Sequence, residues 1–559
     1  MLRRLLICLS AAAMVLLAFT PAASGARTDH PPGYTTKVLV RGAPIHGANG
    51  LAVDTHGRLL VASANGAQID VVDRHSGRVL QRIGHASGVD APDDVAVGPD
   101  GSIYWTDIQI GQVGRLAPNG TVTKQSVAMG MNPIAFSPSG RLFVAQAFFG
   151  DGLYELDPNL VKPPRVVIPD SGPAGAPWPN QLNGFDFGPD GMLYSPQPYQ
   201  SRIVRINPNT GAMTVVADKL PAPPTSVEFD AHGRLYASLV DGTVIRVNPA
   251  PGSYTVFAKI HDAVLDNMTF DHHGQLYVSD SDNGAVYKVS REGDVRTLVH
   301  GGLILPGGLA LTRGTTGHRS LFVANVWSLP EYNPWTGRLV SIDRQSRAGG
   351  GIVAAWSVAP FGQNVVIASW MANAVQVWDP AANKQVALYT DFAVPVNAIQ
   401  FRGNLVVAAL GTGSVVRQTP AGVKTTLASG LMVPSGLAAT RNDLWVADQA
   451  TGKVWQVVSA GTVLTHPKLV AEGLRAPEGM AVDRDGSLLV VEAGAGRVSR
   501  IDPATGHVTT VAGGLQLGLQ GSSGAPPTWA LSSVVVAKNG TLFVTGDVAD
   551  VIYRLTPTP

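Results

Sequence analysis

The chain has 559 residues, enough for two or three ordinary domains. Its 41 Lys and Arg stand against 40 Asp and Glu with no basic run, so the electrostatic footprint of a nucleic-acid binder is missing. Charged residues make up only 14% while glycines and prolines number 63 and 40, a mix that suits short strands joined by tight turns.

At the N-terminus, Arg3 and Arg4 precede an apolar run from Leu5 to Phe19, and Ser24-Gly25-Ala26 offers small residues for cleavage. This is the layout of a secretory signal over residues 1–26, too short to favour a membrane span. The expected product is secreted and free of cysteine, because Cys8, the only one, leaves with the signal. Without disulfides such a protein relies on its core and on closure of the fold. No later stretch is apolar for long enough to cross a bilayer.

From Asn49 the chain repeats one phrase. NGLAVDTHGRLLV is an apolar run, a polar turn carrying Gly57 and a second apolar run. The wording returns at Pro92, Leu182, Leu265 and Pro477. Clear copies of the turn glycine stand at Gly57, Gly101, Gly140, Gly191, Gly233, Gly274, Gly362, Gly403, Gly486 and Gly540, with weaker copies near Gly317 and Asn442. A spacing of roughly 40–54 residues suits a four-stranded propeller blade. The first copy supplies four strands: Leu51–Val53, 59–62, 69–72 and Val79–Ile83.

Helical periodicity is almost absent. The expected fold class is therefore all-β, two tandem six-bladed propellers in which each blade is a four-stranded antiparallel sheet. One ring of twelve would exceed the usual four to eight blades, and a seven-plus-five division would tighten the smaller channel. The expected rings are 27–290 and 291–559. The strand-like run 35–40 lies ahead of the first blade and keeps the count of outer strands level, because the last copy stops after 551–555 without one; 295–299 is expected to open the second ring and complete its final blade. Three segments depart from the repeat and read as loops: 169–180, 325–335 and 513–529. Loops on a rigid scaffold are where function tends to sit.

The repeated P-x-G-φ-A-V-D-x-x-G-x-φ-φ-V pattern resembles NHL-type repeats and the senescence-marker-protein/gluconolactonase family of six-bladed propellers. Tyr104-Trp105-Thr106-Asp107 is similar to the YWTD motif of another six-bladed class. The first resemblance implies a channel that looks onto a divalent metal, commonly calcium, held by the residue just before the glycine of each inner strand. In the first ring that position carries Asn49, Asp93, Asn132, Asn183, Thr225 and Asp266; in the second it carries Gly307, Ala354, a position near Asn397, Ser435, Glu478 and Ser532. Leu182-Asn183-Gly184 resembles the metal-ligating P-N-G segment of the lactonases, and Asp266-Asn267 resembles the calcium-ligating pair of the paraoxonase branch.

The expected ligands are accordingly Asn49, Asp93, Asn132, Asn183, Asp266 and Asn267. Oxygen donors of this kind suit calcium and not zinc. His46 and His261, in loops that enter inner strands, are the candidate general bases. Two functions follow: a metal-dependent hydrolase of the lactonase or esterase kind acting on a small molecule, or a non-catalytic scaffold for a glycan, peptide or cell-wall ligand. A lyase resembling the streptogramin-inactivating propellers would need a His/Glu pair near a metal, and the sequence offers none at a convincing place.

Overall fold

A computed structural model of the chain describes residues 33–172, 181–250, 252–345, 351–523 and 528–558. The expected signal segment lies outside these residues, as does most of the Pro/Gly-rich stretch 169–180.

The described residues form twelve four-stranded antiparallel sheets. Eleven of them use four consecutive strands. The inner strand leads into a turn whose glycine has a positive φ, from 71° at Gly233 to 80° at Gly101 in the first six sheets. A left-handed residue there is nearly free for glycine and costly for others, which is why the repeat keeps its glycine. Second strands such as Leu142–Gln146 and Leu276–Asp280 are buried along their whole length. Outer strands such as Val122–Ser126 alternate in exposure, one face toward the neighbouring sheet and one toward water.

The sheets fall into two compact units of six. The first ring comprises residues 43–304 with 521–523; the second comprises 33–42, 305–520 and 528–558. In the first ring the core between sheets one and six joins Leu51, Leu59, Val61 and Val72 to Tyr277, Val286 and Val299. The side chain of Ser279 in sheet six also donates to the carbonyl of Asn49, 2.6 Å away. First and last sheets therefore meet, and the ring is closed. The second ring closes in the same way, with Thr545 Oγ1 donating to the Gly307 carbonyl at 2.7 Å. Each large apolar side chain buried between sheets contributes roughly 1.5–3 kcal/mol.

Three expectations change. The strand Val295–Val299 pairs with Val286–Val289 as the outer strand of sheet six, so it ends the first ring and does not open the second. The boundary moves from 290/291 to 304/305. The N-terminal strand Tyr34–Arg41 pairs with Val551–Pro557 and supplies the outer strand that the last copy lacks, as expected, but it does so in the second ring and not the first. The segment expected to be an aromatic insertion contains a regular third strand, Ser328–Tyr332, of sheet seven. Pro330 lies within this fully buried strand and Trp327 and Trp335 flank it, which disguises it in the sequence.

Removing residues 27–41 is expected to leave Val551–Pro557 as an open edge. Scanning calorimetry should then show the second ring melting several degrees lower while the transition of the first ring holds. A shift of both transitions together would contradict the strand order.

Candidate functional site

In the first ring each inner strand carries the same five-residue phrase: 49–53, 93–97, 132–136, 183–187, 225–229 and 266–270. Its third residue is apolar and buried between sheets, as at Leu51, Val95, Ile134, Phe185, Val227 and Met268. Its second and fourth residues are small or polar and turn the other way.

Asn267 shows where that other side lies. From sheet six its Nδ2 donates to Asp94 Oδ1 of sheet two at 3.1 Å. Its Oδ1 lies 2.6 Å from the place a Cβ on Gly184, in sheet four, would occupy. A side chain that reaches two alternate sheets from a third lies across the ring axis. Gly184 leaves the room that the Asn267 oxygen fills.

Around this amide stand carboxylates that sequence reasoning did not select. Asp94 accepts the N–H groups of Val95 at 2.9 Å and of Ile134, in the next sheet, at 3.1 Å. Burial, together with the charge of Asp266, pushes its carboxyl up to about 7. Asp186 accepts from Phe187 at 2.7 Å and from Phe229 of the next sheet at 2.9 Å, and burial pushes it up to about 6. Glu228 accepts from Thr269 Oγ1 of sheet six at 3.3 Å. Burial, then the charge of Asp186, lifts it well above the usual carboxylate range. Each acid thus bonds forward to the following sheet. Asp186 and Glu228 keep a partial opening to solvent, as residues lining a water-reached channel do.

The expected ligands divide. Asn49 Nδ2 donates to Asp266 Oδ2 at 3.1 Å, which ties sheet one to sheet six. Asn267 joins Asp94 as above. Asn183 Oδ1 accepts the N–H of Gly184 at 3.0 Å, a bond within its own turn. The carbonyl of Asn132 receives Thr106 Oγ1 at 2.7 Å, and that of Asp93 receives the Gly50 N–H at 2.9 Å. The described bonds therefore unite Asn49, Asp266, Asn267 and Asp94.

Asp94 takes the axial place beside Asp93 because the register shifts between Pro92 and Val95. Such a bulge re-aims the side chains that strict alternation would place. Asp186 and Glu228 did leave a sequence signal: they occupy the position that Ala52, Ala96 and Ala135 fill in sister repeats.

Of the two candidate bases, His46 is buried, with Nδ1 at 3.2 Å from the Ile304 carbonyl oxygen. His261 is exposed. Among the described residues no group of three or more His, Cys, Asp or Glu side chains is gathered to hold a metal. A cation here would have to draw on amide oxygens as well. Asn49 and Asn267 each carry one beside the nitrogen they now present, so the donor chemistry fits a hard, oxygen-seeking ion.

In the second ring Glu478 accepts from Gln449 Nε2 at 3.0 Å, Thr528 Oγ1 at 2.6 Å and the Ser532 N–H at 2.6 Å. Burial, then the charge of Asp547, raises it well above its ordinary range. Its oxygens are occupied by the wall of its own ring.

No family profile matches the chain, and no curated protein matches it. Among solved structures it is similar to a virginiamycin B lyase from Staphylococcus aureus, at 13% identity and a TM-score of 0.38 over 52% of this chain and 96% of that one. A streptogramin B lyase gives 17% identity and a TM-score of 0.38 over 52% and 95%. The extracellular domain of a protein described as a one component system of B. thetaiotaomicron gives 12% and 0.32 over 94% and 83%. The assignment of propeller rings rests on the strand order and closure described above.

Asp186 gives a pH prediction. Its folded value of about 6 lies above the unfolded carboxylate range near ~3.9. The native state therefore binds the proton more tightly, and stability falls as pH rises from about 4 to about 6. Asp186→Asn keeps an oxygen for the Phe229 N–H and removes that loss. Urea unfolding should show the variant gaining on the order of 1 kcal/mol above pH 6 and nothing below pH 4.

Proposed function

We propose that the chain is an exported β-propeller protein whose first-ring channel binds a divalent cation, calcium in the first place, and with it the carbonyl of a small lactone or ester. The observation that carries this reading is the meeting of Asp94, Asp266, Asn49 and Asn267 from sheets two, six and one around one axis. Two apposed carboxylates in a desolvated channel repel each other, and a cation relieves that repulsion.

When bound, such an ion supplies Lewis-acid polarisation of a carbonyl. Asp266 and Asp94 would hold it through carboxylate oxygens, and Asn49 and Asn267 through amide oxygens. Asp186 and Glu228, whose proton affinity is raised by burial, stand further along the inner strands, where each would donate a hydrogen bond in its protonated form. His261, exposed to water, would accept a proton from an attacking water; His46 serves instead to hold its loop to Ile304.

The second reading is a non-catalytic scaffold for a glycan or peptide. It is favoured by the burial of His46, which withdraws one of the two candidate bases from solvent.

Calorimetric titration with calcium, paired with assays on a panel of lactones and aryl esters, separates the two. Saturable calcium binding with turnover supports the hydrolase, and binding without turnover supports the scaffold. No uptake of calcium, with a melting temperature indifferent to EDTA, would remove the cation from both. The double variant Asp266→Asn/Asn267→Ala should weaken calcium binding at least ~10-fold and abolish the calcium-dependent rise in melting temperature.

A further inference from the structure

A second site lies in the other ring, independent of the channel chemistry. Sheets nine and ten, whose inner strands are Pro395–Phe401 and Pro434–Ala439, border a cavity of about 340 Å³. That volume lies in the range of small-molecule pockets. Two guanidinium groups line it, Arg402 and Arg417, with Asn404 and Gly461, beside an apolar wall in which Val463 is exposed and Phe401, Leu427 and Val458 are buried behind it.

The two arginines are differently held. Arg402 Nη1 donates to the Gly461 carbonyl at 2.9 Å, which clamps the hairpin of sheet ten onto sheet nine. Arg417 Nη2 reaches Thr425 Oγ1 at 3.3 Å, but its Nε–H is buried and has no acceptor. Among the described residues neither guanidinium forms an ion pair.

A buried donor without an acceptor carries its desolvation cost unrelieved. Two neighbouring positive charges without a counterion add repulsion. Arg402 also sits at φ 50° in a two-residue turn with Gly403, where asparagine or aspartate would be less costly than arginine. The unmet donor and the repulsion would both be offset by one kind of molecule.

We propose that this cavity binds a small organic anion: a carboxylate or phosphate head bonded to Arg417 Nε and facing Arg402, with an apolar body against Phe401, Leu427, Val458 and Val463. Arginine suits this role because its planar fork matches the oxygens of either head group. The apolar wall distinguishes the ligand from a free inorganic ion.

Isothermal titration of the mature protein with benzoate, phenyl phosphate and inorganic phosphate tests this. Benzoate, phenyl phosphate or both should saturate one site, the preference naming the head group, and inorganic phosphate should bind at least ~10-fold more weakly. Arg417→Gln should weaken binding by at least a further ~10-fold. Val463→Glu, at an exposed wall position, should abolish it by offering the guanidiniums a carboxylate of the chain itself, with the melting temperature held or raised. The proposal is overturned if none of the probes saturates up to about 10 mM, if inorganic phosphate binds as tightly as phenyl phosphate, or if Val463→Glu binds as the parent does.

Discussion

Two residues near the end of a second strand do most to hold each ring in register. In sheet two they are Thr106 and Asp107. Thr106 Oγ1 donates to the Asn132 carbonyl of sheet three, while Asp107 accepts the N–H groups of Asp90 and Ala91 in the loop that enters its own inner strand. Sheet six repeats the device with Ser279 on the Asn49 carbonyl and Asp280 on the Val264 N–H. Sheet twelve repeats it with Thr545 on Gly307 and Asp547 on Gly518 and Leu519. The hydroxyl fixes the next sheet, and the acid fixes the entry loop. A neutral bond of this kind is worth about 1 kcal/mol and a charged one ~1.5–3. Losing a partner costs more, since Asp107 and Asp280 are fully buried. In sheets two and six this pair fixes the strands and entry loops that carry Asp94, Asn49 and Asn267.

Sheet number and sheet size were legible because one local requirement recurs. A left-handed turn residue between two apolar runs demands glycine, and the demand is independent of what surrounds it. The missing outer strand of the last copy pointed to the N-terminal run, but the ring to which each outer strand belongs was not legible. Tyr34–Arg41 and Val295–Val299 are both short, alternating and half-exposed, and nothing local says which sheet edge each completes. Closure over hundreds of residues costs only slightly more than closure over tens, because loop entropy grows with the logarithm of length. The N-terminal strand is thus free to complete the last sheet of the chain, where the alternative is an exposed edge.

The site was legible in part for a related reason. Asn49, Asp266 and Asn267 announce themselves as polar residues at the start of apolar strands, and the structure joins them. Asp94 was hidden by a bulge, which only pairing geometry reveals. Glu228 and Asp186 were passed over because the resemblance points to the first residue of the five-residue phrase, and these acids stand at the fourth. His46 was misleading because a loop histidine beside a channel looks solvated until the Ile304 carbonyl is seen against it.

The mid-strand acids bear on why the first ring carries its polar axis at all. Asp186 pairs with an N–H and Glu228 with a hydroxyl of the following sheet, so they could be read as fasteners alone. The second ring argues otherwise. At the matching fourth position of its inner strands it has Ala310, Ala438 and Ala481, and the ring closes with hydroxyl and main-chain bonds. The first ring itself uses Ala52, Ala96 and Ala135 in three sheets. The fold therefore does not require a carboxylate at this place. Where burial opposes the charge of Asp186 and Glu228 and alanine would serve the architecture, the local inconsistency points to use of the channel and not to its construction.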